Sequence, residues 1–352
     1  MKKKTTPKAK TSVKTSHSRK IIASPPDTFL AQSMQEVKPG KSEWFDLRRK
    51  LYPAPKKIEP AGGFRLSRDL IKSSKKISFL TSLKPAESPQ IPGGPRMIGP
   101  TEEKYLRRFS GKKVRGADFT QIYDAESRQL YRDTTYPWVC IGRVNNPLGS
   151  GGTGTLVGRN TILTAAHVAW GMWTPGGPVT GNPSFTAASF DGSSLLGSNF
   201  TANIIGVAAW ENTKNNQCGY DMAICQLDKP LGDWLGFLGA NHYDDDWEDR
   251  HVWAHAGYPY DLSPNGGRPC FELGIAVRDD DSDSYDTLEI ETRADIASGQ
   301  SGGPLWGVFE GDHRVIGTLS GREDNFGEET NSLFSGGNGL LRLIQWGRDN
   351  WG

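Results

Sequence analysis

The feature that most constrains the fold is the regular alternation of β-forming runs with turn residues from residue 136 onward. Gly152–Val157 and Thr161–Thr164, for example, are β-rich runs separated by Gly158–Asn160. Breaks of this kind about every eight to twelve residues are typical of an all-β barrel or sandwich. The same pattern predicts strands over residues 138–144, 202–210, 222–227, 251–257, 271–277, 286–292, 304–309 and 314–319. Apolar residues spaced three and four apart predict a terminal helix over residues 340–346.

The first 97 residues differ from the rest in composition. They are rich in Lys, Ser, Thr and Pro, with breakers such as Pro92–Pro95. A segment of this kind buries too little apolar surface to offset the entropy lost on ordering. We therefore expect residues 1–97 to be largely irregular, with short apolar patches such as Trp44–Leu47 and Ile77–Leu80 docking on the remainder, as in an autoinhibitory pro-segment.

Basic residues are concentrated at the start of the chain. Residues 1–20 contain eight Lys or Arg and no acidic residue, whereas the whole chain has a net charge of +2. Such a tail can bind nucleic acid or an anionic membrane surface, but we favour a solvated terminus. No apolar run has a membrane-spanning length, and Ile21–Ala23 is interrupted at once by Ser24–Pro26, unlike a secretory signal. The sequence thus favours a cytoplasmic location, with secretion as the alternative.

The cysteines and acidic runs do not indicate a metal site. Cys140, Cys218, Cys225 and Cys270 include no C-x-x-C pair, so we expect no zinc site. We interpret them as small buried apolar residues, with one disulfide as the alternative. The acidic runs at 244–249 and 279–283 carry oxygen ligands that calcium could use. They lack EF-hand spacing, so we interpret them as solvated loops and predict no metal or cofactor.

The stretch Gly299–Pro304, with the sequence Gly-Gln-Ser-Gly-Gly-Pro, has the features of a nucleophilic site. A serine hydroxyl is a poor nucleophile at neutral pH, so it needs a neighbouring base and donors for the oxyanion. The glycines let the backbone turn tightly, so that the N–H groups of Gly299 and Ser301 can point at one place. We predict Ser301 as the nucleophile and these two N–H groups as an oxyanion hole.

The order of the motifs separates two kinds of hydrolase. Gly299-x-Ser301-x-Gly303 also fits the nucleophile elbow of the α/β-hydrolases, in which an acid and then a histidine follow the serine. Only His313 follows Ser301, and twelve residues are too few for an intervening acid and a sheet crossover. An esterase of that class is therefore disfavoured. Upstream, Thr164–His167 and Tyr220–Ile224 supply the order histidine, aspartate, serine.

These three motifs, which lie 54 and 80 residues apart, resemble the signatures of the trypsin-like serine peptidases. Thr135–Trp138 followed by Gly152–Val157 further resembles the bacterial and fungal glutamyl-endopeptidase branch. The resemblance covers about residues 130–350. It implies an all-β, chymotrypsin-like fold of two six-stranded antiparallel barrels with the active site between them. The implied organisation is a basic N-terminal segment over residues 1–97, a connecting segment over 98–134, a first barrel over 135–235, and a second barrel with a C-terminal helix over 236–352.

Carried over residue by residue, the resemblance makes Ser301 the nucleophile and His167 the general base. Asp221 would orient His167 and stabilise its imidazolium without taking the proton itself. The substrate is then a polypeptide. The remaining histidines have no comparable context and are interpreted as surface or core residues: His17, His242, His251, His255 and His313.

The sequence departs from the resemblance at two positions. Zymogens that insert a new amino terminus use an Asp immediately before the nucleophile, and this position is Gln300, so that ion pair cannot form. The residue after the base is Val168 instead of the usual cysteine, so the disulfide that braces this turn is absent. The oxyanion loop must be organised by other contacts. We hypothesise that cleavage between about Pro95 and Asp133 removes the leading segment and opens the cleft.

Substrate preference depends on Asp295, six residues before the nucleophile, where the resemblance places a counter-charge for Lys or Arg. The residues with which acid-specific relatives bind glutamate are replaced by Ile296 and Leu319. Arg322 could pair with Asp295 or contact an acidic side chain. A buried Asp295 must meet a substrate cation or a protein donor. We predict cleavage after Arg or Lys, with Glu or Asp as the alternative, and substrate pairing along Ser320, Gly321 and Arg322 as an added strand.

Two classes of function remain open from the sequence. The first is an active serine endopeptidase restrained by its N-terminal segment. The second is a protease-like binding module that has lost catalysis and is anchored by its basic tail. The intact set of His167, Asp221 and Ser301 favours the enzyme, because a module without catalysis need not keep all three.

Overall fold

The computed structural model describes residues 62–73, 77–85, 96–97, 120–123, 125–148, 151–172, 179, 181–211, 219–323 and 331–352. In chain order its strands are β1 (Gly62–Leu66), β2 (Phe79–Leu80), β3 (Arg96–Met97), β4 (Thr120–Gln121), β5 (Gln129–Arg132), β6 (Ile141–Asn145), β7 (Gly152–Leu156), β8 (Thr161–Thr164), β9 (Ser184–Ala187), β10 (Ser189–Phe190), β11 (Ser193–Ser194), β12 (Thr201–Trp210), β13 (Ala223–Leu227), β14 (Gly239–Asn241), β15 (Trp253–Gly257), β16 (Cys270–Ile275), β17 (Val277–Asp283), β18 (Thr287–Thr292), β19 (Ile296–Ala297), β20 (Pro304–Phe309), β21 (Asp312–Arg322) and β22 (Ser332–Gly336). The helices are α1 (Arg68–Ser73), α2 (Leu231–Leu235) and α3 (Gly337–Trp351).

Six antiparallel strands close into the first barrel. They pair in the order β12-β13-β8-β7-β6-β9, and β9 pairs again with β12. Every residue of β7, β8 and β13 is buried. Closure leaves no open edge among these strands, so the small and β-branched side chains that fill the interior are sealed from water.

A second barrel is formed by the later strands. Pairing runs β17-β18-β22-β21-β20-β15-β16. The ring closes because β16 and β17 are halves of one bent strand, separated only by Ala276. Its interior contains a separate apolar cluster that includes Ile290, Leu305 and Phe334. The predicted all-β fold of two six-stranded barrels is confirmed.

The acidic run at 279–283 is not a loop, as the sequence suggested. It lies on β17, in antiparallel register with β18 from Asp279↔Glu291 to Asp283↔Thr287. Pairing with a neighbouring strand overrides the low β propensity of Asp because these side chains stay on an exposed or half-buried strand. The prediction of a solvated loop is wrong for this run.

The prediction of irregular structure over residues 1–97 does not hold for two described stretches. β1 adds to the first barrel in parallel register with β12, from Gly62↔Gly206 to Leu66↔Trp210. β2 pairs with β14, as the docking patch Ile77–Leu80 predicted. The reason is tertiary: the backbone of β12 and β14 supplies hydrogen-bonding partners that composition alone does not reveal. Within residues 1–97 the structure describes 62–73, 77–85 and 96–97, and the remaining residues lie outside the described ranges.

Helix α3 contacts both the described part of the N-terminal segment and the first barrel. It begins three residues before the predicted helix and continues to Trp351. The guanidinium of Arg348 donates to the carbonyl oxygens of Val157, Thr81 and Leu238 at 2.6, 3.0 and 3.1 Å. One side chain thus joins the C-terminal helix, the N-terminal segment and the first barrel.

The described cysteines follow the favoured interpretation. Cys140, Cys225 and Cys270 are free and buried, and burial raises the pKa of each thiol above its ordinary value. Cys218 lies outside the described residues. No helix in the described ranges combines the length and apolar character needed to cross a bilayer.

Candidate active site

Strand pairing in the first barrel brings His167 and Asp221 together. His167 follows the end of β8 and Asp221 precedes β13, and these strands pair with Thr164 opposite Ala223. The backbone N–H of His167 donates to Oδ1 of Asp221 at 3.0 Å, and Nδ1 of the ring lies 2.7 Å from Oδ2. Because a carboxylate only accepts, Nδ1 carries the proton, and Nε2 of the neutral ring is an acceptor.

The environment of this pair sets the protonation of His167. Asp221 is fully buried, and the His167 side chain is 25% exposed. Burial lowers the pKa of His167, but the charge of Asp221 and its hydrogen bond outweigh burial, so the pKa is raised above its ordinary value. The negative charge of Asp221 therefore stabilises the protonated form of the His167 ring, which makes the ring a stronger base.

The turn after His167 has a brace that replaces the missing disulfide. The side-chain amide of Asn146, at the end of β6, donates to the carbonyl oxygens of Val168 and Trp170 at 2.8 and 2.7 Å. Asn146 is buried. These two bonds join the turn to the neighbouring strand, so His167 sits on fixed backbone without a cysteine at residue 168.

The loop that carries Ser301 packs against the turn that carries His167. Gly302 has φ of +83°, and a Cβ atom at this position would overlap the Thr164 hydroxyl and lie 2.8 Å from the Ala165 nitrogen. The Ser301 carbonyl accepts from the N–H of Thr153 at 2.8 Å. The second barrel's loop is therefore attached to β7 and β8 of the first barrel, and this contact brings Ser301 to the His167 turn.

The backbone around Gly299 suits an oxyanion hole. Gly299 has φ of +95°, and a Cβ there would overlap the Tyr258 carbonyl oxygen, so only glycine fits. Its own carbonyl accepts from the Thr153 hydroxyl at 2.9 Å, and the same hydroxyl accepts from the N–H of Tyr258 at 3.0 Å. Within the described residues the N–H groups of Gly299 and Ser301 donate to no protein acceptor. Thr153 was not foreseen from the sequence; its position between glycines in Gly152–Gly154 was the only signal.

Asp295 meets protein donors. The N–H of Tyr123 donates to Oδ1 at 2.8 Å, and the N–H and hydroxyl of Ser127 donate to Oδ2 at 2.7 and 2.6 Å. Asp295 is 1% exposed. Of the two partners that the sequence allowed for a buried carboxylate, the structure supplies the donor from the chain itself. Asp295 is therefore not an open counter-charge, because three of its acceptor positions are already used.

The predicted substrate-pairing residues lie at the end of β21. The Ser320 hydroxyl donates to Oδ2 of Asp221 at 2.8 Å, a contact that the sequence did not predict. Pairing of β21 with β20 ends at Thr318, whereas pairing with β22 continues through Gly321 and Arg322. The structure thus places Ser320 beside Asp221 and leaves the role of Gly321 and Arg322 as a prediction.

The remaining described histidines include two in the core. Nδ1 of His255 lies 2.9 Å from the Pro304 carbonyl oxygen. Burial lowers the pKa of both His255 and His313 to about 4, so both are neutral at pH 7. His251 is exposed and lies 2.7 Å from the Gly274 carbonyl oxygen through Nδ1. None of the three contacts Asp221.

Comparison with known proteins gives one family-model match and several structures of similar fold. Residues 152–317 match the family model of the trypsin-like peptidase domain. No curated protein matches the chain. A solved structure of a Glu endopeptidase in complex with MPD aligns with a TM-score of 0.52 at 18% sequence identity, covering 65% of this chain and 100% of that one. At this identity the likeness shows the fold alone.

Two further solved structures align over similar lengths. Protease Anisep from Arthrobacter nicotinovorans is 22% identical, with a TM-score of 0.41, 60% of this chain covered and 93% of its own. The thermostable serine protease AL20 from an extremophilic microorganism is 17% identical, with a TM-score of 0.43 and coverage of 60% and 98%. The matched family model and the two-barrel fold together show that residues 152–317 of this chain form a trypsin-like peptidase domain.

Proposed function

We propose that this protein hydrolyses peptide bonds with Ser301 as nucleophile, His167 as general base and Asp221 as the residue that orients His167. The observation that carries the proposal is the 2.7 Å contact between Nδ1 of His167 and Oδ2 of Asp221. This contact makes Nε2 the proton acceptor on the side of the ring away from Asp221. The packing of Gly302 against Thr164 and Ala165 brings the serine loop to the same turn.

In the proposed acylation step, Oγ of Ser301 forms a bond to the scissile carbonyl carbon as its proton passes to Nε2 of His167. The N–H groups of Gly299 and Ser301 donate to the resulting oxyanion. The carbon–nitrogen bond then breaks, and His167 passes the proton to the leaving amine. In deacylation, water gives a proton to Nε2 of His167 as its oxygen forms a bond to the acyl carbon. The bond between that carbon and Oγ of Ser301 then breaks, and Oγ takes the proton from His167.

For the residue before the scissile bond, we propose Arg or Lys, with Glu or Asp as the alternative. An ionised carboxylate offers about four acceptor positions, and Tyr123 and Ser127 occupy three of those on Asp295. The remaining position and the negative charge support a cationic side chain, with weaker selectivity than an open carboxylate would give. A peptide library with every residue at this position measures the preference directly.

We also propose that the N-terminal segment restrains activity until it is cleaved. The motivation is its basic, proline-rich composition. The contacts of residues 120–132 with the second barrel support a cleavage site upstream of Thr120. Purified protein should gain activity on trimming, and an intact chain as active as every trimmed form would contradict this restraint.

The experiment that tests the proposed function compares wild-type protein with Ser301→Ala. We expect a fluorophosphonate to label the wild type on one serine, which peptide mass spectrometry should identify as Ser301, with loss of peptidase activity. The alanine variant should be neither labelled nor active. Wild-type protein that is folded but inactive and unlabelled, both intact and trimmed, would instead favour a binding module without catalysis.

A further inference from the structure

The chain segment just before the first barrel is attached to the loop that carries Ser301 at three places. β4 pairs with β19, with Thr120 opposite Ala297 and Gln121 opposite Ile296. Tyr123 and Ser127 bind the Asp295 carboxylate at the start of the loop. Arg128 reaches the far end of the loop, next to the nucleophile.

Arg128 is a buried cation with a complete set of acceptors. Its side chain is 0% exposed. Nε and Nη2 donate to the two carboxylate oxygens of Glu126, each at 2.8 Å. Nη1 and Nη2 also donate to Asp261 at 3.2 and 2.6 Å. A buried charge is tolerated only when it is paired and hydrogen-bonded, and a planar guanidinium held by two carboxylates has little freedom to move.

The fixed guanidinium also holds Gln300. Nη1 of Arg128 donates to Oε1 of Gln300 at 2.7 Å, and the N–H of Ala297 donates to the same oxygen at 2.9 Å. Gln300 is 0% exposed. On its other side it packs on Gly257, where an added Cβ would lie 3.0 Å from the Cα, Cβ and Cγ atoms of Gln300.

Holding Gln300 determines where the oxyanion donors point. The N–H groups of Gly299 and Ser301 belong to the residues on either side of Gln300, so a shift of this residue moves both. Oxyanion stabilisation requires donors about 3 Å from the developing charge, and misplacement by about 1 Å can cost about a hundredfold in rate. In the family that the motifs resemble, zymogens carry an aspartate at the position of Gln300. In this chain the partner of Gln300 is the Arg128 side chain and not a new amino terminus.

We propose that Arg128 is a positioning residue of the oxyanion loop and acts through Gln300. The proposal rests on the proposed function of Ser301. It follows that Thr120–Arg128 is a permanent part of the active enzyme and that any activating cleavage lies before Thr120. A new amino terminus is not required to form the oxyanion hole, because Arg128 already supplies the cation.

The test uses the full chain with Arg128→Met, Gln300→Met and the double variant. Each single variant should lower kcat about a hundredfold with KM changed by less than about threefold, because the donors act on the oxyanion and not on bound substrate. Affinity for a peptide boronic acid, whose adduct on Ser301 places an oxygen in the hole, should fall in proportion to kcat. The double variant should be no slower than either single variant, because both act through one contact.

The control is Arg278→Met, which removes an exposed ion pair with Asp249 at 2.7 Å and touches no part of the loop. It should leave kcat unchanged. Arg128→Lys keeps the buried charge but not the planar fork, so it should fall between Arg128→Met and wild type. Thermal unfolding of each variant separates loss of the fold from loss of loop position. If Arg128→Met does not fold, Gln300→Met provides the test, because it leaves the ion pairs of Arg128 intact.

Distinct outcomes overturn the two proposals. Wild-type protein without activity or label contradicts the proposed function. Active wild type together with folded Arg128→Met and Gln300→Met that keep kcat and boronate affinity overturns the role of Arg128, as do strictly additive losses in the double variant. The same conclusion follows if a fully active, labelled species lacks residues up to and including Arg128 by intact mass.

Discussion

Oδ2 of Asp221 lies within hydrogen-bonding distance of two side chains, Nδ1 of His167 at 2.7 Å and Oγ of Ser320 at 2.8 Å. Oδ1 accepts the backbone N–H of His167. The carboxylate is fully buried and cannot rotate without losing one of these bonds. Its orientation is therefore set from both barrels, because His167 belongs to the first and Ser320 to the second.

Ser320→Ala removes the hydroxyl that shares this oxygen. Hydrogen bonds to charged groups contribute about 1.5 to 3 kcal/mol, so we expect kcat to fall about tenfold or more. With one donor fewer, Asp221 attracts the His167 proton more strongly, and the acidic limb of the pH profile of kcat/KM should move to higher pH. Ser194→Ala, which removes a buried hydroxyl in the β10–β11 hairpin, is the control and should leave the limb in place.

Asp221→Asn tests the cause of the raised pKa of His167. The amide has no charge and no longer holds the ring proton of His167 on Nδ1, so Nε2 is not kept free to accept a proton. We therefore expect kcat to fall by about four orders of magnitude. Without the attraction of Asp221, burial is the remaining cause and lowers the pKa of His167. The remaining activity should therefore have its acidic limb at lower pH than the wild type. A limb that stays in place would show that Asp221 does not set this pKa.

Regular strand patterns and contiguous motifs could be predicted from the sequence. β8 and β20 begin and end where the alternation of side chains and turn residues placed them, at Thr161–Thr164 and Pro304–Phe309. The three motifs also indicated the peptidase domain that the family model matches over residues 152–317, because each is a short run whose residue types reflect one local geometry. The positive φ of Gly299 is an example, since only glycine tolerates it next to the Tyr258 carbonyl.

Contacts between distant parts of the chain could not be predicted. Arg128 and Gln300 are separated by 172 positions, and although Gln300 lies in the serine motif, no motif surrounds Arg128 to indicate that the two side chains meet. β9 and β17 were missed because their sequences, Ser-Phe-Thr-Ala and a run of aspartates, form strands only through the partners that the barrels supply. The donors to Asp295 could not be predicted either, because the position of an aspartate in the sequence does not show which N–H groups will approach its carboxylate.

Glu272 should make stability depend on pH. Its carboxylate accepts from the N–H of Asp295 at 2.8 Å, and burial raises its pKa from 4.5 to about 7, with the charge of Asp295 adding to this and that of Arg128 opposing it. A raised carboxyl pKa means that stability present below pH 4.5 is lost as the pH rises to about 7. The loss can reach roughly 3 kcal/mol.

Glu272→Gln keeps an acceptor for Asp295 and removes the ionisation. The wild type should therefore lose stability relative to this variant between pH 4.5 and 7, measured by urea unfolding at a series of pH values. Glu248→Gln, at an exposed position, should follow the wild type at every pH. Parallel curves for the wild type and Glu272→Gln would show that Glu272 does not titrate in this range.

Gly302→Ala compared with Gly311→Ala separates backbone strain from steric overlap. Both glycines have φ of +83°, but an added Cβ at Gly311 meets nothing within 4 Å, whereas at Gly302 it overlaps the Thr164 hydroxyl and the Thr153 carbonyl oxygen. Gly311→Ala should cost about 1 to 2 kcal/mol of unfolding free energy and leave activity intact. Gly302→Ala should cost more than this and lower kcat by at least about a hundredfold, because the serine loop must move away from the His167 turn. Equal unfolding free energies with full activity in both variants would mean that the two barrels do not hold this loop in the contact described.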